Sequence, residues 1–230
     1  MTGPTIGVIG GMGPAATTQF MARVQALTHA KRDQDHLRLI IDCNPHVPDR
    51  NAAAHGGGPT PEIVLAQMAR GLQSIGAELL VMPCNAAHAY AGAISSAVTI
   101  PFLNLIDAVA DAACAEAPTA VGLLAADGCL EAGLYQQAFA RRGVEVILTT
   151  ARQQAAFMEL LYRIKAGELG AASRRTMGEL AEDLVARGAE VIVAGCTEVP
   201  LVLAPADVAV PLADSIEILA ATTVAAASKS

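Results

Sequence analysis

Two phrases of this chain end in a thiol. Gly76-Ala77-Glu78-Leu79-Leu80-Val81-Met82-Pro83-Cys84-Asn85 is echoed by Gly188-Ala189-Glu190-Val191-Ile192-Val193-Ala194-Gly195-Cys196-Thr197. Each reads Gly-Ala-Glu, then an apolar run, then a cysteine followed by a small polar residue. A thiol ionises at about pH 8.5, close enough to neutrality to serve as donor in one form and as base in the other. Two thiols set on opposite sides of one carbon suit chemistry that takes a proton from one face and returns it to the other. Asn85 can hydrogen-bond a substrate, and Thr197 supplies the matching hydroxyl. Small cysteines buried in strands are common for packing alone; it is the duplication that favours Cys84 and Cys196 as a functional pair.

Other segments could serve the same site. Asn44-Pro45-His46-Val47-Pro48-Asp49-Arg50 reads as a loop stiffened by two prolines, with the flexible Gly56-Gly57-Gly58-Pro59 beyond it. An arginine on such an arm suits a lid that grips a carboxylate through two parallel hydrogen bonds. The alternative is a solvated charge or a partner for Asp49. Lys165 lies near the end of a helical stretch that stops at Gly167. It could reach a second carboxylate, although position alone reads as a helix C-terminal lysine. Gly10-Gly11-Met12-Gly13-Pro14-Ala15-Ala16 follows a strand and opens a helix. Its spacing fits a dinucleotide fingerprint loosely, since Asp33, Asp35 and Asp42 could each be the ribose acid. Its exposed amides could equally bind a substrate carboxylate. Cys84, His88 and Cys196 could be three metal ligands, but no Cys-x-x-Cys or His-rich spacing supports that. His88 reads better as a helix residue packed near the site or hydrogen-bonded behind it. Cys84 is expected to open a helix directly, with the helix amides favouring thiolate. Cys43 and Cys114 read as packing residues, and Cys129 is left open.

The elements that must hold these residues repeat as well. Pro4-Thr5-Ile6-Gly7-Val8-Ile9 resembles Pro118-Thr119-Ala120-Val121-Gly122-Leu123-Leu124. Second strands fall at 37–42 and 144–148, and amphipathic helices at 62–75 and 171–187. The cysteine strands come next, and then proline-bearing strands at 100–103 and 210–212. Strands alternating with helices predict right-handed βαβ crossovers and parallel sheets. The expected fold is α/β: two pseudo-symmetric Rossmann-like halves, 1–103 and 104–211, each a four-stranded parallel sheet flanked by helices. The site would lie in the cleft between them, outside the carboxyl ends of the strands. A helix at 214–226, within 212–230, is placed to return over the first half, and the small polar tail after Val224 is expected to fray.

Composition limits the alternatives. The chain has 230 residues, is 53% hydrophobic, and has only 3% aromatic residues and no tryptophan, so its core is built from Ala, Val, Leu and Ile. A net charge of −7 argues against broad nucleic-acid binding. No apolar stretch reaches the roughly 20 residues of a membrane helix, and residues 1–9 lack the features of a secretory signal. Five cysteines, an odd number, point to reduced thiols and a cytoplasmic location.

At these residues the chain resembles the aspartate/glutamate racemase family, which works without pyridoxal phosphate. The resemblance is carried by Gly7-Val8-Ile9-Gly10-Gly11-Met12-Gly13-Pro14, Asn44-Pro45 with Pro48-Asp49-Arg50, Met82-Pro83-Cys84-Asn85, Ile164-Lys165-x-Gly167, and Gly195-Cys196-Thr197-Glu198 with Pro200-Leu201. It implies that Cys84 and Cys196 are the two proton-transfer residues and that Arg50 and Lys165 bind carboxylates. It places the Met12 backbone, Asn85 and Thr197 at an amino-acid substrate, with Ala86 beside them. It also implies no cofactor and a homodimer. The chain departs from the family where Ala86 replaces a common threonine, and where Ala125-Ala126-Asp127-Gly128-Cys129 replaces Ala-Thr-x-Gly-Thr. Those changes bear on specificity more than on reaction type. Maleate isomerases, arylmalonate decarboxylases and hydantoin racemases carry similar paired cysteines, so decarboxylation or isomerisation of a small dicarboxylic acid is the nearest alternative. A non-catalytic amino-acid or dinucleotide binding module is the more distant one.

Overall fold

The structure, a computed structural model, describes residues 3–228. Its strands are β1 (Ile6–Gly10), β2 (Leu39–Cys43), β3 (Leu79–Val81), β4 (Ala120–Ala125), β5 (Glu145–Leu148), β6 (Val191–Gly195) and β7 (Leu212–Asp214). Its helices are α1 (Pro14–Leu27), α2 (Arg50–Ala54), α3 (Glu62–Ser74), α4 (Ala91–Ala97), α5 (Leu105–Cys114), α6 (Asp127–Glu131), α7 (Leu134–Ala140), α8 (Ala151–Lys165), α9 (Ala171–Ala186) and α10 (Ser215–Ala227). The strands form two parallel sheets, ordered β2-β1-β3 and β5-β4-β6-β7. The strands with neighbours on both sides, β1, β4 and β6, are buried along their whole length, whereas the edge strands β2 and β5 are half-buried. The apolar runs and the burial therefore agree.

The two copies of the repeated phrase do the same structural work. Gly76 and Gly188 turn the chain out of α3 and α9 with φ of +99° and +102°, a conformation that suits glycine. The glutamate of each copy then reaches the neighbouring strand. Glu78 accepts from the Thr5 backbone amide at 2.8 Å, and Glu190 accepts from the Thr119 amide and hydroxyl, both at 2.8 Å. Each phrase thus fixes where β3 or β6 starts beside β1 or β4.

The first sheet departs from the expected four strands. Its fourth strand is reduced to a single bridge between Leu80 and Phe102. Pro101 precedes this bridge as Pro211 precedes β7, and Asn104 caps α5 as Asp214 caps α10, so neither the proline nor the cap accounts for the shorter pairing. In the second sheet, Pro211 stands just before β7, which pairs with β6 over three residues. The tail does not fray after Val224, because α10 continues to Ala227; residues 229–230 lie outside the described part.

One apolar cluster fills the space between the sheets. It joins Ile6 and Val8 of the first sheet to Val121, Leu123, Val191 and Val193 of the second through α1, α5, α7 and α10. Separate clusters cover the far faces, under α3 on one side and under α8 and α9 on the other. The α10 helix leaves the second sheet and packs on α1, where Glu217 pairs with Arg23.

Candidate active site

Parallel sheets send all their strand ends the same way, and here six of them deliver side chains to one place. Met12 follows β1, Arg50 follows β2, Cys84 to Ala86 follow β3, Ala126 follows β4, Lys165 ends α8 after β5, and Cys196 to Glu198 follow β6. All of these line one inner cavity of ≈ 20 Å³, together with Asn51 and Leu161. A larger cavity of ≈ 400 Å³ adjoins it, sharing Met12, Arg50, Lys165 and Glu198 and extending over Pro14, Pro45 and Leu201. Every site residue anticipated from sequence is therefore on the inner cavity.

The surroundings of Cys84 are held by a histidine. Cys84 is buried, and its carbonyl lies 2.8 Å from His88 Nδ1. The Leu105 amide donates to His88 Nε2 at 3.1 Å, so Nε2 has no proton and Nδ1–H donates to the Cys84 carbonyl. The ring stacks on Phe102, and burial pushes its pKa down to about 4, so the imidazole is neutral. Both nitrogens are in use, and His88 is not free to ligate a metal. Among the described residues no group of three or more His, Cys, Asp and Glu side chains is gathered at a metal site. The expected helix directly after Cys84 is replaced by a 3₁₀ turn, Ala86–Tyr90, before α4. The reason is local: His88 takes the Cys84 carbonyl with its side chain, and its amide bonds Asn85 one residue closer.

Cys196 has a different neighbour. Its Sγ donates to Glu198 Oε2 at 3.0 Å, and the Thr197 hydroxyl donates to the same oxygen at 3.3 Å. The other carboxylate oxygen accepts from Lys165 Nζ at 2.8 Å, with the Glu198 side chain only 4% exposed. Burial first, and then Glu198, hold the Cys196 thiol well above its ordinary pKa, while Lys165 pulls the other way. Burial alone would lower the Lys165 ammonium, but Glu198 and the Cys196 and Cys84 sulfurs outweigh it and leave the pKa raised. Lys165 is thus an ion-pair partner inside the cleft rather than a surface cap. Sequence reasoning gave Glu198 no role. The available signal was an acid two residues beyond a strand-end cysteine, followed at once by Val199-Pro200-Leu201.

The first half closes over the cleft through the loop after β2. Asp49 is not an ion partner for Arg50. It caps α2, accepting from the amides of Asn51 and Ala52 at 2.7 and 2.9 Å. Arg50 Nη1 instead donates to the carbonyls of Val47 and Pro48, which braces the guanidinium at the cavity. Asn51, also unassigned from sequence, crosses to the second half. Its Oδ1 accepts from the Gly128 amide at 3.0 Å, and its Nδ2 donates to the Tyr162 hydroxyl at 3.3 Å. His55 adds contacts with Glu131 and Asp127 at 2.7 and 3.7 Å. The glycine turn is braced from the same loop. Gly11 has φ +94°, and a Cβ there would lie 2.4 Å from the Asn44 backbone.

The other cysteines separate clearly. Cys43 is exposed at the end of edge strand β2, which corrects its reading as a packing residue. Cys114 is half-buried at the end of α5. Cys129 is fully buried, and burial, with Cys84 nearby, pushes its thiol far up and leaves it inert.

Comparison with known proteins agrees with this architecture. The family model described as Asp/Glu/Hydantoin racemase matches residues 9–223. The chain is 28% identical over 225 residues to the broad specificity amino-acid racemase RacX of Bacillus subtilis (strain 168), covering 95% of this chain and 96% of that protein. Among solved structures it is similar to Picrophilus torridus aspartate racemase, with a TM-score of 0.89 and 27% identity over 98% of this chain and 95% of that one. It shares the fold of PH1733, an aspartate racemase homologue from Pyrococcus horikoshii OT3, with a TM-score of 0.79 and 24% identity over 98% of this chain and 99% of that one. With matches that run nearly end to end in both sequence and structure, the chain belongs to the Asp/Glu/hydantoin racemase family and is an amino-acid racemase.

Proposed function

We propose that this racemase acts on aspartate, glutamate or both by two-base proton transfer between Cys84 and Cys196, without a cofactor. The observation that supports the reading is that these two buried thiols, delivered by the matching strands of two sheets, line one inner cavity. One cysteine, as thiolate, takes the α-proton, and the other, as thiol, donates to the opposite face. The roles exchange for the other enantiomer. Carbanion charge spreads onto the α-carboxylate, where the Met12 backbone, Asn85 and Thr197 receive it as hydrogen-bond donors. Arg50 and Lys165 orient carboxylates. Lys165 does so as the partner of Glu198, so that it offers a substrate its remaining donors. Ala86 supplies an apolar wall where a hydroxyl is common in the family. The hydrogen bond from Cys196 to Glu198 favours Cys196 as the protonated member at rest.

The test is incubation with a panel of L- and D-amino acids in D₂O. Deuterium at Cα together with loss of optical rotation for aspartate or glutamate is the expected result. Exchange confined to other amino acids would overturn the substrate assignment, and undiminished turnover in Cys84→Ala or Cys196→Ala would overturn the two-base scheme. The five unpaired thiols support a cytoplasmic location. The family resemblance supports a homodimer, which sedimentation would check.

A further inference from the structure

Asn85 is 2% exposed, lines the inner cavity and is held from two sides. Its Oδ1 lies 2.6 Å from the Tyr135 hydroxyl, and its Nδ2 lies 3.2 Å from Ser215 Oγ. Which end of the carboxamide meets which partner decides what the cleft is offered. A separation of 2.6 Å is ordinary for O–H···O and short for N–H···O, which clusters near ~2.9 Å. Tyr135 therefore meets the oxygen. Burial, and then the Cys129 and Cys196 sulfurs, keep its phenol well above the usual range, so it retains its proton and donates. Nδ2 carries two protons and gives one to Ser215, which leaves the other for the cavity.

We infer that Tyr135 is a positioning residue: its hydroxyl, fixed on Asn85 Oδ1, sets the amide so that an N–H rather than a carbonyl oxygen faces the carboxylate of the substrate held between the two thiols. The assignment rests on the racemase reading above. An N–H there stabilises the charge that the carboxylate gains when Cα loses its proton, whereas an oxygen there would oppose it. The three groups come from three elements. Asn85 follows β3, Tyr135 is in α7 of the second half, and Ser215 opens α10. The Tyr135 ring is fully buried and stacks on Phe139, so removing only its hydroxyl preserves the packing.

The test is a double-mutant cycle in kcat and KM with Tyr135→Phe, Asn85→Ala and the pair. Tyr135→Phe is expected to lower kcat about tenfold with little change in KM. Asn85→Ala is expected to lower it by about 10², as for loss of one preorganised donor, and the pair no further than Asn85→Ala alone. Losses that multiply, or an unchanged kcat in Tyr135→Phe, would overturn the inference. NMR of the Asn85 side-chain amide reads the orientation without turnover. A nuclear Overhauser contact from its protons to Ser215 supports the assignment, and one to the Tyr135 ring in its place overturns it. If the wild-type protein exchanged no amino acid α-proton, the substrate reading would fail while the NMR arm still decided the amide.

Discussion

Cys84 and Cys196 occupy equivalent places in the two copies of the fold, yet their neighbours are unlike. Cys84 is held through its backbone, by a neutral histidine on its carbonyl. Cys196 is held through its sulfur, by a carboxylate that also takes a lysine. The repeat supplies position, and the residues just after each cysteine supply character. A symmetric scaffold thus presents two thiols in unlike surroundings, with the Cys196 sulfur hydrogen-bonded to a carboxylate and the Cys84 backbone held by a histidine.

The sharpest way to break the comparison is to remove each thiol in turn. Cys84→Ala and Cys196→Ala are each expected to lower racemisation by ~10²–10⁴, the range for a positioned acid or base. Each should keep α-deuterium exchange for one enantiomer only, and the two variants should keep opposite ones. Loss of the same enantiomer in both would reject the pairing. Chiral chromatography with mass spectrometry reads both quantities.

Glu198→Gln targets the second site alone. Without the carboxylate, the Cys196 thiol should ionise at lower pH and be alkylated faster than in the parent protein, while Cys84 keeps its rate. Leaving Lys165 without its buried counter-charge should cost up to about 3 kcal/mol of stability. Peptide mapping after timed iodoacetamide treatment, together with urea midpoints, would check both effects.

His88 offers the complementary handle on the first site. Its pKa is about 4 in the folded protein against 6.5 for the ordinary side chain. Between these values the unfolded chain binds more protons, so stability falls as pH drops below 6.5 and levels off near 4. The loss is about 3 kcal/mol. Urea midpoints from pH 7 to pH 4 should show this slope, and His88→Gln should lack that part of it.

The smallest effect concerns the repeated glutamates. Glu78→Gln and Glu190→Gln should both lower Tm. Glu78→Gln should do so more, because its bond to Thr5 is partly buried whereas that of Glu190 to Thr119 is exposed. Equal shifts in calorimetry would argue that exposure does not distinguish the two anchors.

Much of the fold was legible because apolar strands with glycine turns have few alternatives. The duplicated phrase located β3, β6 and both thiols, and the strand-end rule brought Met12 and Arg50 to the same cleft, whereas Lys165 was assigned to it by the family resemblance alone. What the sequence hid depends on side chains reaching across the molecule. Lys165 read as a surface cap because Glu198, its partner, lies 33 residues away. Asn51 showed no sign of bonding Gly128, 77 residues on. The missing fourth strand of the first sheet had no local signal, since the proline and the helix cap that flank it recur around β7. Cys43 read as a packing residue because nothing in its local pattern says that β2 is an edge.

The inner cavity has one further consequence. At ≈ 20 Å³ it has room for about one water molecule, since roughly 10–15 Å³ on this measure admits one. An amino acid seated between the two thiols needs more room than this, and the Asn51 bond to Gly128 is among the contacts that would yield if the two halves parted. Under the proposed two-base scheme, a hydrogen lifted onto either sulfur would be sequestered until release, while the opposite sulfur would carry one collected from solvent at the previous opening. In heavy water the isotope should therefore mark the inverted product before it marks the starting enantiomer, and ligands should be easier to trap by growing crystals with them than by diffusing them into crystals of the closed form.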